Sequence, residues 1–95
     1  MTIQSWKSKH AKAVFEGRDP GKGFPANLIS VTRRRLNSLH AAVVIDDLRV
    51  PPSHRLHPLG GDRIGEWSIS VNDQFRITFR WSDAGPEEVW FGDYH

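Results

Sequence analysis

Apolar residues recur at helical intervals along the first half of this chain and alternate with polar ones from Trp67 onward. Residues 2–6 read as a short opening strand, with Ile3 on one side and Gln4 and Trp6 on the other. Ser8 then suits the cap of a short helix that presents Ala11, Val14 and Phe15 on one face and stops at Gly17 and Asp19-Pro20. Pro25 fits the first turn of a second helix whose apolar stripe runs through Leu28, Val31, Leu36 and Leu39, with Ile29 at its border. A further short helix is predicted over 41–48, until Val50-Pro51-Pro52 forbids continuation.

Beyond Pro52 the period becomes two. Trp67, Ile69 and Val71 alternate with Glu66, Ser68 and Ser70, and Val71-Asn72-Asp73-Gln74 supplies turn chemistry. Phe75, Ile77, Phe79 and Trp81 then alternate with Arg76, Thr78 and Arg80. After a second turn over 82–86, residues 88–91 make another strand ending near Gly92. The order of elements predicts an α+β fold in one domain spanning 1–95, with two to three N-terminal helices packed on one face of a small, mainly antiparallel or mixed sheet. Burying Phe75, Ile77 and Phe79 turns Arg76 and Arg80 to the opposite face, which should be open and cationic.

Composition narrows the chemistry. The 95 residues contain no cysteine, so disulfides, thiolate metal sites and a cysteine nucleophile are excluded, and a reducing, cytoplasmic setting is expected. No apolar run approaches the roughly 20 residues that span a bilayer, and the first six residues lack the character of a signal peptide. The net charge of +2 hides a division. Residues 1–35 hold eight basic side chains against two acidic, and the remainder five arginines against nine carboxylates, so the two parts carry +6 and −4. Such separation suits contact with a polyanion through one face, although a basic helix is as readily a solvated one. Within the second helix, Arg33 and Arg34 should face solvent or a partner, while Arg35 lays its methylenes over the core edge.

The candidate site lies in the last third. RNA is cut without a metal when one group takes the ribose 2′-hydroxyl proton, cations steady the pentacoordinate phosphate and a second group protonates the leaving oxygen. Histidine suits either transfer near neutral pH, which singles out His57 and His95. Arg76 can grip a phosphate with its planar fork, and Tyr94 can stack on a base or orient the phosphate. Each has a plainer role open to it: a surface imidazole, an ion pair, a ring covering the sheet edge. Metal ligation has no support in spacing, since no H-E-x-x-H or tight carboxylate cluster occurs, and Asp46-Asp47 and Glu87-Glu88 read as surface charge. Gly60-Gly61-Asp62 matches no nucleotide-cradling loop, so no cofactor is expected.

Three stretches carry a family resemblance: Arg55-Leu56-His57-Pro58-Leu59-Gly60-Gly61-Asp62, the run from Gly65 through Trp67 and Arg76 to Phe79, and the closing Asp93-Tyr94-His95. Over nearly its whole length the chain resembles HigB-type toxins of the RelE superfamily, the toxin components of bacterial type II toxin–antitoxin pairs. That resemblance implies a metal-independent mRNA endonuclease that acts in the ribosomal A site. It implies His57, Arg76, Asp93, Tyr94 and His95 as the catalytic group, with His57 or His95 handling the 2′-hydroxyl proton, Arg76 on the phosphate, Tyr94 positioning the nucleotide and Asp93 orienting a neighbour or aiding proton transfer. Arg33, Arg34, Arg55, Arg63 and Arg80 become candidates for RNA or ribosome contact. Implied partners are the ribosome with its mRNA and a HigA-like helix-turn-helix antitoxin, through which the pair would reach operator DNA; no membrane partner is implied. The chain departs from the family pattern at Gly60, where many relatives carry lysine. Two readings therefore stand: an endoribonuclease whose missing cation is supplied by Arg63 or Arg55, and a weakened member acting mainly with its antitoxin in a repressor complex.

Overall fold

A computed structural model describes residues 2–93; Met1, Tyr94 and His95 lie outside the described residues. Helices α1 (Lys9–Phe15) and α2 (Ile29–Ala41) precede strands β1 (His57–Pro58), β2 (Glu66–Ser70), β3 (Arg76–Ser82) and β4 (Gly85–Gly92). The strands form one antiparallel sheet in the order β1-β2-β3-β4. Each strand pairs with the next in sequence, as the turn signals require. This is the expected α+β arrangement, with the helices on the sheet's apolar face.

Local chemistry accounts for the helix ends. Ser8 is extended, and its Oγ accepts a hydrogen bond from the Ala11 N–H at 3.3 Å, capping α1. The chain leaves α1 through Gly17, whose φ of +77° suits a residue without a Cβ. On α2 the buried stripe is Leu28, Thr32, Leu36 and Leu39, and Val31 is only half-buried. The reason is angular. At about 100° per residue, position 32 falls about 40° from Leu28, whereas position 31 falls about 60° to the other side, at the stripe's edge.

Three expectations are corrected. Residues 41–48 do not form a continuous helix: α2 ends at Ala41, Ala42 is extended, and a 3-10 turn occupies Ile45–Arg49. The Asp47 carboxylate accepts the N–H groups of Val43 at 2.8 Å and Val44 at 3.2 Å, diverting donors that a helix would point at its own carbonyls. Those two bonds also hold the Asp47 carboxyl below its ordinary pKa. Residues 2–6 make one parallel bridge, Trp6 to Val89, instead of a strand. Val89 donates to the Ser5 carbonyl and its own carbonyl accepts from Lys7, but the bulge opposite Thr78 and Arg80, where Glu88 has φ +52°, interrupts any longer ladder. Finally, β4 begins at Gly85 rather than 88, because the turn needs only Asp83 and Ala84 between the paired residues Ser82 and Gly85.

The core lies between the helices and one sheet face. Val14, Leu36 and Leu39 from the helices meet Ile69, Ile77, Phe79, Val89 and Phe91 from the strands in one apolar cluster. Phe75 precedes β3 and stacks on Phe91 at 5.1 Å between ring centroids. The opposite sheet face is polar, as the alternation dictates, yet it is not open. Ser68 and Thr78 are fully buried, and Glu66 and Ser70 nearly so. Long side chains fold down along it, among them Arg80 toward Gly65 and Trp90 toward Gly92.

Candidate active site

Strand register assembles the site. His57 pairs with Ser68, Ser68 with Thr78, and Thr78 with Trp90; one step along, Ser70 pairs with Arg76 and Arg76 with Gly92. Directly paired residues share a face, so His57, Thr78, Trp90 and Arg76 all belong to the polar side. His57 and Arg76 are two strands apart and one pleat period apart, about 12 Å between Cα atoms from a strand spacing of about 4.8 Å and a rise of about 3.4 Å per residue. An imidazole and an extended guanidinium can meet one phosphodiester across that gap.

The two groups are prepared differently. The Nδ1 of His57 lies 3.0 Å from the Arg55 carbonyl oxygen. A carbonyl can only accept, so the proton of the neutral ring sits on Nδ1 and the Nε2 lone pair is available to take a proton. Arg76 is half-buried, and its Nη1 is sealed from solvent without a hydrogen-bond partner among the described residues. The Thr78 hydroxyl, two residues along the same face, is likewise buried without a partner. Each such unmade bond to a buried polar group costs about 1–3 kcal/mol.

Asp93 follows directly on Gly92, the residue paired with Arg76. Its carboxylate accepts a hydrogen bond from Gln74 Nε2 at 3.3 Å, which ties it to the turn between β2 and β3. The roles expected of Tyr94 and His95 fall outside the described residues.

The remaining candidate arginines divide. Arg33, expected to face solvent or a partner, donates instead to the Val14 carbonyl at 3.1 Å near the end of α1. Arg34 is exposed and donates to the Ser30 hydroxyl on its own helix at 3.1 Å. Arg55 points toward Asp73 at 3.9 Å in an exposed pair of little energetic weight. Arg80 pairs with Glu88 at 2.9 Å, made possible by the bulge that pushes Glu88 outward. Arg63 lies 3.5 Å from the buried Glu66 carboxylate, and its guanidinium carbon stands 4.9 Å from the centroid of the Trp90 ring. Gly60 is exposed and extended, and no atom stands within 4 Å of where a Cβ would be.

Two further residues, His54 and Thr78, escaped the sequence reading, and Arg35 has other partners than the water or carboxylate expected for its head: it bonds the Ser70 carbonyl at 3.1 Å and the Ser53 hydroxyl at 3.3 Å, so α2 braces both the loop before His57 and the residue paired with Arg76. Burial, then the charge of neighbouring Arg34, lowers its pKa from the ordinary value. His54 is fully buried; its Nδ1–H donates to the Leu48 carbonyl at 3.0 Å and its Nε2 has no partner among the described residues. Burial keeps this imidazole below its ordinary pKa, with Arg35 acting the same way and the Leu48 bond opposing. Thr78 carries no motif, and only register with His57 and Trp90 could have pointed to it.

A family model described as the RelE-like toxin of type II toxin-antitoxin system HigB matches residues 4–95. The chain is 37% identical over 93 residues to a protein of Proteus vulgaris named Endoribonuclease HigB, covering 98% of this chain and 99% of that one. It is 35% identical over 79 residues to Toxin HigB-1 of Vibrio cholerae serotype O1, covering 83% of each. A solved YoeB/ParE toxin from Agrobacterium tumefaciens shares the fold over the full length of both chains, with a TM-score of 0.56 and 20% identity.

Proposed function

Because this chain belongs to the HigB-like toxin family, the RelE-like toxins of type II toxin–antitoxin systems, we propose that it is an endoribonuclease that cleaves mRNA in the ribosomal A site. The observation that carries this reading is the pair of buried, unsatisfied donors on Arg76 and Thr78, set on the same sheet face as an imidazole with a free Nε2 lone pair. In the reaction, His57 Nε2 takes the 2′-hydroxyl proton, and that oxygen bonds to phosphorus. Arg76 and Thr78 hold the phosphate oxygens as charge accumulates on them. The bond from phosphorus to the 5′-oxygen breaks, and the group formed by Asp93, Tyr94 and His95 returns a proton to the leaving oxygen. The products are a cyclic phosphate and a free 5′-hydroxyl.

The protein then acts in the cytoplasm, where its substrate is, and is held in check by a HigA-like helix-turn-helix antitoxin that couples it to operator DNA. Arg34 and the lysines of the first 35 residues offer the solvent-facing charge for ribosomal RNA. Gly60 favours a second reading, a slow enzyme serving chiefly in the repressor complex, since no cation projects from that exposed position. The test is primer-extension mapping of mRNA on purified ribosomes with the native chain, His57→Ala and a chain lacking His95. Native cleavage within codons, lost in both variants with their melting temperatures unchanged, supports the site. Cleavage retained by both variants refutes it, and no cleavage by the native chain moves the protein to the second reading.

A further inference from the structure

Trp90 stands apart from the other tryptophans of the chain. Trp6, Trp67 and Trp81 all pack against the apolar core, and among the described residues Trp90 is the one tryptophan outside that cluster. It lies instead on the polar face, paired with Thr78 and one step from Arg76. Gly92 makes room for it: a Cβ there would stand 2.3 Å from Cζ2 and 2.4 Å from Cη2 of the indole, so the ring occupies the space of the missing side chain and lies along the sheet beside Arg76's partner residue. On this half-buried ring rests the Arg63 guanidinium, 4.9 Å from the centroid. A guanidinium and an aromatic ring thus meet one pairing step from Arg76.

From this juxtaposition we infer that Trp90 and Arg63 form a stacking subsite for one unpaired nucleobase of the RNA held at Arg76, an inference that rests on the endoribonuclease reading. Indole and guanidinium planes both accept a base face, and single-stranded RNA offers such faces next to its phosphates. The same layer places a positive charge on the polar face although position 60 carries none. Glu66 is the anchor for this arrangement. Its buried carboxylate stands 3.5 Å from the Arg63 guanidinium whose carbon lies over the ring.

The experiment is an NMR titration of isotope-labelled protein with a five-nucleotide single-stranded RNA and with the same strand carrying an abasic residue at successive positions. The Trp90 indole N–H signal is assigned by its loss in Trp90→Phe. Intact RNA shifts that signal and leaves those of Trp6, Trp67 and Trp81 in place. Removing the base at one position weakens binding roughly 10- to 100-fold for the native chain. In Trp90→Ala the abasic and intact strands bind alike, while Trp90→Phe restores the difference. A merely structural Trp90 would not produce that dependence on a base. A Trp90 signal that stays fixed up to millimolar RNA, or an abasic effect undiminished in Trp90→Ala, overturns the subsite. Ribosomal cleavage, measured separately, reports on the catalytic reading: absence of cleavage with base-dependent binding intact would sink that reading and leave the subsite standing.

Discussion

Replacing Arg76 by methionine should make the protein more stable and nearly inactive at once. Methionine keeps an unbranched stem of similar length while removing the guanidinium, whose Nη1 is buried without a partner among the described residues. An unsatisfied buried donor costs about 1–3 kcal/mol; because Arg76 is only half-buried, we take the lower end, about 1 kcal/mol. For a chain of this size that corresponds to a rise of roughly 4–8 °C in melting temperature. Activity should move the other way. Loss of a preorganised donor to a developing phosphate charge typically lowers the rate by about 10²–10³-fold. The assay pairs differential scanning calorimetry with single-turnover cleavage of ribosome-bound mRNA. A fall in melting temperature would mean that Arg76 braces the fold and that its Nη1 is satisfied in solution. Cleavage within threefold of native would mean that the phosphate lies elsewhere.

Gly60→Lys introduces a side chain into open space on extended backbone, so it should fold normally and, if no other cation serves the phosphate, raise single-turnover cleavage on the order of 10²-fold; an unchanged rate would show that Arg63 or another cation already acts there. His54 and His10 are both held below the ordinary imidazole value of 6.5, so below that pH the unfolded chain takes up protons the folded chain refuses, and stability falls. His54→Asn keeps a donor for the Leu48 carbonyl and should flatten, without abolishing, the decline in urea midpoint between pH 7 and 5; an identical pH slope would show that His54 titrates normally. Phe79→Ala should cost about 3–5 kcal/mol, since the ring is fully buried in the core, read as a lowered urea midpoint, and a loss under 1 kcal/mol would contradict the packing.

The pleat explains both what could be read from residue order and what could not. Alternation over 66–70 and again over 76–81 assigns each strand side chain to a face, and so separates Ile77 and Phe79 from Arg76 and Thr78 without coordinates. It says nothing of depth. Thr78 and Ser68 are fully buried although they face away from the helices, because long side chains with distant anchors lie along that face: Arg80 toward Gly65, Trp90 on Gly92, Arg63 on Trp90. Arg33 and Arg80 illustrate the same gap, for a guanidinium on a predicted outer face is claimed by the Val14 carbonyl in one case and by a bulged Glu88 in the other. What distinguishes Arg76 from these is therefore not its position in the alternation, which Arg80 shares. It is that neither a carbonyl nor a carboxylate among the described residues bonds its buried Nη1. A buried guanidinium nitrogen left without a partner among the described residues carries a cost that the proposed phosphate contact would offset and that an apolar side chain at that position would not incur.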